Sequence, residues 1–358
     1  MELALVSLGD HVTDPHTHRR TTQGKKLRLV VEHAVRGEQV GFHSVMLGEH
    51  HFTDYILSVP QMALAAIAER TTTLRLNTGV TLLPTQDPVR LAEDFNTLDQ
   101  LSGGRVEMTV GRGILVKTYV AAGVPASASR DAFSENLELL LALLERDSVT
   151  WSGTWRPPLE DVRIEPRSFQ TPRFPLWVGG GVGFASVDLA ARFGLNLMLP
   201  GVFGKASNFV PAATRFREQW EAYGHPGTPL VGNVFHVHVA RTTQEARQRW
   251  APYYQAYLDF VDSIWDGEGL FDGNGRAGLS FDVSRLMETT AICGSPAEVV
   301  DRLGRARELL GLNLAGLSMD LGGLPEPILF DAIDLVGGEV IPQLSLQPTG
   351  TGAPVSTS

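Results

Sequence analysis

The chain has 358 residues, 43% hydrophobic and 20% charged, a balance that gives a sizeable core and excludes disorder over most of its length. Its formal charge of −10 at pH 7 excludes a general nucleic-acid binder, because phosphate contacts need a basic surface. One cysteine, Cys293, excludes a disulfide framework and Cys-based metal or iron–sulfur sites, and fits a reducing compartment.

The first ten residues lack the basic stretch and long apolar core of a secretion signal. No run of about 18 apolar residues occurs, so a cytoplasmic protein is expected. Short apolar runs predict strands at 2–8, 43–48, 74–80 and 105–111, then at 175–179, 195–199, 231–240 and 314–318. Most lack a polar face, as strands of a parallel sheet covered on both sides do. Amphipathic helices are predicted between them. Asp87 caps one, with Pro88 in its first turn, Leu91, Phe95 and Leu98 on its buried stripe, and Ser102-Gly103-Gly104 as its stop. Phe133, Leu137, Leu140, Leu141 and Leu144 mark another. Thr242 with Glu245 and Ser295 with Glu298 read as capping boxes, and Gly311 ends the second of these helices.

Eight strands alternating with helices predict an α/β fold, a (β/α)8 TIM barrel rather than a doubly wound sheet. A typical barrel needs about 250 residues, so this chain must carry insertions. Two stand out: 147–174, with Trp151, Trp155 and four prolines, and 263–292, whose glycine-rich centre reads as a mobile lid. Residues 1–347 are expected to form one domain, and 348–358 a disordered tail.

Chemistry in such barrels sits at the C-terminal strand ends, where four segments fall. In Gly48-Glu49-His50-His51-Phe52, adjacent imidazoles can point one into the mouth and one away. Their ordinary pKa of roughly 6.5 suits acid–base work, and hydrogen-bonded loop residues are the plainer reading. In Asn77-Thr78-Gly79-Val80, glycine lets a flat ring approach the backbone or permits an unusual peptide geometry; an ordinary loop glycine is the alternative. Gly111-Arg112-Gly113, with Arg130 further on, offers planar permanent charge for a phosphate, against a surface ion pair. Gly179-Gly180-Gly181-Val182-Gly183-Phe184-Ala185-Ser186 opens a helix whose unpaired N–H groups and dipole suit a phosphate. A dinucleotide fingerprint would need an acidic residue about 20 positions on, and the next strand runs into Pro200-Gly201-Val202-Phe203 without one. Together these segments fit a ring-bearing phosphorylated cofactor, and spacing leaves its identity open. His11, Asp14, His16 and His18 read as a solvated loop rather than metal ligands, and Cys293 has no base beside it in sequence.

LGEHHFTDY, NTGVTLLPTQDPVRLAEDFNTLDQLSGGRVEMTVGRG and Ser129-Arg130 resemble the bacterial luciferase-like flavin-dependent monooxygenases. LWVGGG, AARFGLNLML and ICGSPAEVVDRL extend the likeness over most of residues 2–345. The resemblance implies a lidded (β/α)8 barrel, usually a homodimer, and two-component chemistry. Reduced FMN from a separate NAD(P)H:flavin reductase would react with O2 to a C4a-hydroperoxyflavin that oxygenates a hydrophobic organic substrate. It points to His50, with His51 beside it, as catalytic, and to Gly79-Val80 as a cis peptide under the flavin ring. It places Arg112, Arg130 and the turn Val182-Gly183 to Ser186 at the flavin phosphate; Thr78, beside Gly79, and Gly180 and Gly181, before that turn, complete the expected cofactor-binding set. Gly111 replaces the reactive cysteine of the light-emitting enzymes and Thr118 an acidic residue, which argues against luminescence and long-chain aldehydes. The glycine-rich turn also resembles relatives using the deazaflavin F420, so hydride transfer with F420 is the alternative, and a non-catalytic flavin-binding barrel a third reading. The apolar residues Ile264, Trp265, Leu270 and Phe271 suggest a hydrophobic substrate.

Overall fold

Runs of four to six residues buried on both faces have nowhere to go but the middle of a helix-covered sheet. The computed structural model describes residues 1–264 and 291–346. The chain begins β1 (Glu2–Ser7), α1 (Gln23–Gln39), β2 (Ser44–Leu47), α2 (Pro60–Ala68), β3 (Arg75–Thr78), β4 (Thr81–Leu82) and α3 (Pro88–Ser102). Then come β5 (Met108–Gly111), α4 (Val116–Ala122), α5 (Ser129–Glu145), β6 (Val149–Trp151), β7 (Leu159–Val162), β8 (Leu176–Gly179) and α6 (Ala185–Arg192). After β9 (Asn196–Leu199) follow α7 (Val210–Ala222), β10 (Val231–Val239), α8 (Thr243–Ile264), β11 (Ile292–Gly294) and α9 (Pro296–Leu310). The described part ends with β12 (Leu314–Ser318), α10 (Glu326–Leu335) and α11 (Ile341–Leu346).

The eight expected strands pair in parallel in the order β3-β2-β1-β12-β10-β9-β8-β5. The ring closes where the Leu76 amide donates to the Arg105 carbonyl (2.9 Å) and the Glu107 amide to the Leu76 carbonyl (2.8 Å). This is the (β/α)8 barrel that the alternation predicted. Along β1, Ala4 and Val6 point inward onto Met46, Trp177, Met198 and Leu314, while Leu3 and Leu5 point outward into the layer shared with the helices. Glu107 closes the N-terminal end of the barrel by pairing with Arg75 and accepting from the Trp177 indole at 2.8 Å. The opposite end is left for the site.

Helix punctuation follows the sequence with one difference. Asp87 accepts from the Val89 amide at 2.9 Å and Ser295 from the Glu298 amide at 3.4 Å, and Gly103 and Gly311 close their helices in the left-handed region. The expected boxes, however, are only half formed. Glu298 turns to the Thr243 hydroxyl (2.6 Å) and Arg247 (3.1 Å), and Glu245 to Arg249 (2.6 Å). The insertion 147–174 contains an antiparallel hairpin, β6 with β7, that the sequence did not signal. Only Val149 of the hairpin is fully buried, so it carries almost no apolar pattern to read. Most of the expected lid (265–290) and the expected tail lie outside the described residues.

Behind the barrel mouth, Lys26 reaches from α1 between two buried carboxylates in the loops after β1 and β12. Its Nζ donates to Asp320 Oδ2 at 3.2 Å and lies 3.7 Å from Asp10 Oδ1. The Ser7 hydroxyl donates to Asp320 (2.6 Å) and the Gly322 amide to Asp10 (2.8 Å). Burial pushes Asp10 up to about 6. For Asp320 the upward push of burial is outweighed by Lys26, His33 and its hydrogen bonds, which hold it below the usual carboxylate range. Lys26→Met removes the ammonium that both carboxylates pair with and leaves them facing each other in the interior. The expected loss is about 3–5 kcal/mol, read from the urea midpoint at pH 7. A loss below about 1 kcal/mol would show that water already screens the cluster.

Candidate active site

The eight barrel strands end around one cavity of about 480 Å³. Each strand, or the loop just after it, supplies wall: Leu8, His50, Val80, Gly111, Gly179, Leu199, His236 and Ser318. The expected site residues His50, His51, Gly79, Val80, Arg112, Arg130, Gly180, Gly181, Val182, Gly183 and Ser186 all line it. Thr78 does not. Its side chain is fully buried in the barrel wall, donating to the Thr109 carbonyl (3.0 Å) and accepting from the Thr81 hydroxyl (3.0 Å).

The loop after β2 is pinned by backbone bonds, Glu49 N–H to the Val80 carbonyl (3.2 Å) and His50 N–H to the Leu57 carbonyl (3.1 Å). The His50 ring lies against Tyr55, centroids 4.2 Å apart. Its Nδ1 is buried with no hydrogen-bond partner among the described residues. Burial, with the neighbouring His51 adding, lowers its pKa to about 4, so the imidazole is neutral at pH 7. The buried Glu49 accepts from the Leu82 amide (2.9 Å) and the Gln86 side chain (2.6 Å), and pairs with His51 Nε2 at 2.7 Å. The carboxylate therefore orients His51, leaving His50 the ring with an unused nitrogen.

The Gly79–Val80 peptide is cis. The Val80 side chain occupies space kept open by two glycines: a Cβ at Gly111 would meet it at 2.6 Å and one at Gly179 at 3.0 Å. No side chain fits at position 111 without displacing Val80, which accounts for glycine there. Across the cavity, Arg112 Nη1 donates to the Ser129 hydroxyl at 3.3 Å, and the Tyr119 hydroxyl donates to the Arg112 carbonyl. Burial pushes the Tyr119 phenol up to about 12, so it stays a donor at neutral pH. Arg130, one residue beyond Ser129 in the first turn of α5, also faces the cavity. Opposite it, α6 starts without a side-chain cap, and Ala185 and Ser186 of its first turn line the cavity. Gly181, at φ +129° and with Leu199 2.8 Å from where a Cβ would stand, has to be glycine for this turn to form. Two guanidinium groups and an uncapped helix start thus share one cavity, a combination that suits a dianionic phosphate.

Reading strand ends alone passes over His236, Tyr119 and Glu49. The signal for His236 is present in VGNVFHVHVA: with period two, Val234 and His236 fall on one face, and both line the cavity. Elsewhere, His11 Nε2 bonds the Thr21 carbonyl (2.7 Å), and Asp14 accepts from the His16 amide (2.8 Å), so these residues organise their own loop. Cys293 is buried, and burial pushes its thiol up to about 12, which makes it inert at neutral pH.

A family model described as luciferase-like monooxygenase matches residues 1–313. A 4-hydroxyprotoasukamycin monooxygenase of Streptomyces nodosus subsp. asukaensis is 32% identical over 281 residues, 76% of this chain and 75% of that protein. Among solved structures, monooxygenase RslO1 from Streptomyces bottropensis superposes with a TM-score of 0.85 at 25% identity, covering 96% of this chain and 99% of that one. The oxygenating constituent of 3,6-diketocamphane monooxygenase from Pseudomonas putida, in complex with FMN, gives 0.79 at 20% identity, covering 96% and 98%. An F420-dependent secondary alcohol dehydrogenase has the same fold, at 0.71 and 19% identity, covering 96% and 98%. Structural neighbours of this barrel therefore bind either FMN or F420.

Proposed function

The chain belongs to the luciferase-like monooxygenase family, and from that premise we propose that it is an FMN-dependent monooxygenase acting on a hydrophobic organic substrate. Reduced FMN is delivered by a separate NAD(P)H:flavin reductase, and the working form is a homodimer in the cytoplasm. The observation that carries this reading is the meeting of Arg112, Arg130, the uncapped start of α6 and the unpartnered His50 nitrogen on one cavity.

When bound, reduced FMN supplies the electrons that activate O2. Arg112 and Arg130, with backbone N–H groups at the start of α6, hold the phosphate end. Val80, seated against Gly111 and Gly179, supports the ring. Apolar walls from Leu8, Ile114, Leu115, Val202 and Phe203 keep water from the reacting atoms. His50, neutral and with its Nδ1 buried, holds or passes a proton beside the ring, and His51 on Glu49 fixes the loop that carries it.

Arg112→Ala is expected to weaken FMN binding about 10- to 150-fold, the worth of one hydrogen bond to a charged group, while riboflavin binding changes little. Flavin fluorescence titration reads both. Equal losses for FMN and riboflavin would mean that Arg112 does not hold the phosphate. Uptake of reduced F420 with no uptake of FMN would replace the reading by F420-dependent hydride transfer.

A further inference from the structure

Beside the main cavity lies a second compartment of about 70 Å³, and His50 and His236 are walls of both. Tyr55, Tyr254 and Tyr257 enclose it, and no Asp, Glu, Lys or Arg is among its described walls. Tyr55 and Tyr257 bind each other, hydroxyl to hydroxyl at 3.0 Å. Burial raises both phenols, and nearby Asp10 adds to the shift, so neither ionises at neutral pH. The His236 ring stands edge-on to Tyr254 and Tyr257, and its Nδ1 hydrogen-bonds the Tyr254 hydroxyl at 3.0 Å. Its Nε2 is buried, the residue being 5% exposed, with no partner among the described residues. Burial lowers this imidazole to about 3, so it presents no charge at neutral pH.

A buried nitrogen without a partner costs about 1–3 kcal/mol, a cost that a ligand supplying the missing hydrogen bond removes. An ionised ligand would be desolvated here against aromatic rings, one of which, Tyr55, already feels the carboxylates of Asp10 and Asp320. We propose that the small compartment is the substrate-recognition pocket and that His236 Nε2 selects a neutral, ring-bearing substrate through its hydroxyl or carbonyl group. The ring packs among Tyr55, Tyr254 and Tyr257, and the polar group meets His236 where the two cavities join. Because the pocket shares walls with the proposed flavin cavity, this inference rests on the proposed function. His236 is a specificity residue in it and not a proton carrier, since its second nitrogen is already tied to Tyr254.

The test uses FMN-loaded protein and four probes of nearly equal size, phenol, toluene, benzoate and benzylamine, titrated by ligand-observed NMR. The wild type is expected to bind phenol about tenfold more tightly than toluene and to take neither charged probe. His236→Leu should bring phenol to the level of toluene while leaving toluene and FMN affinity unchanged, and His236→Asn should restore part of the preference. Benzoate or benzylamine binding as tightly as phenol overturns the inference, as does a wild type that does not separate phenol from toluene. If His236→Leu does not fold, the wild-type ranking decides alone. Failure to bind FMN overturns the inference together with the function beneath it, whereas FMN binding without phenol selection overturns the inference alone.

Discussion

Lowering the pH from 6.5 to 4 is expected to remove most of the protein's stability, at about 4 kcal/mol per pH unit. The cause is a set of buried imidazoles. Burial lowers His33, His50 and His238 to about 4 and His236 to about 3. Each is depressed below the ordinary His value, so the folded state stays neutral while the unfolded chain takes up protons. Stability from these groups is complete above pH 6.5 and is lost as pH falls toward the folded values. Asp10 works the other way: raised to about 6, it binds a proton in the folded state first and offsets roughly one of the four. A net uptake of about three protons on unfolding, at 1.36 kcal/mol per unit each, sets the slope. Native stabilities are about 5–15 kcal/mol, so a stability at the lower end of that range puts the transition near pH 5 and a higher one moves it toward pH 4. Urea midpoints at half-unit steps read it directly. His238→Leu should flatten the slope by about one proton, because that ring stacks on Trp250 with neither nitrogen partnered among the described residues. A midpoint that does not move between pH 6.5 and 4.5 would mean that these histidines titrate normally.

The same chemistry explains what the sequence could and could not convey. Barrel strands were legible because each is a short apolar run between helix signals that work locally: Asp87 does cap, and Gly103 and Gly311 do stop their helices. Site segments were legible because glycine and arginine at strand ends have few structural uses, so 111–113 and 179–183 stood out. The polar layer around them was not. Glu49 was hidden beside two histidines, and its partners Leu82 and Gln86 lie more than thirty residues away. Thr78 looked like a cofactor contact because it adjoins Gly79, yet strand alternation turns its side chain into the wall, onto Thr109. The Lys26, Asp10 and Asp320 cluster was equally silent, since a lysine in the first turns of a helix reads as surface until tertiary structure buries it.

Replacing His50 by alanine is expected to lower coupled product formation about 10²- to 10⁴-fold, the range for loss of a positioned proton-transfer group. Oxygen uptake with reduced FMN should continue, with the oxygen recovered as hydrogen peroxide instead of product. The pKa of about 4 decides how His50 works. At pH 7 almost none of it is imidazolium, so it is no reservoir of acid, and a base that weak takes a proton only transiently. A neutral imidazole can nevertheless accept at one nitrogen while donating from the other, and the buried, unpartnered Nδ1 is the atom placed to do so. His50→Gln keeps one donor and one acceptor at a similar reach, and should recover part of the coupling that alanine loses. If charge were the essential property, glutamine would be as poor as alanine, and coupling would rise as pH falls from 7 to 5.5, above the acid transition. Equal product and peroxide yields from the wild type and His50→Ala would remove this residue from the chemistry and leave the cavity as a flavin site whose proton carrier lies elsewhere on its wall.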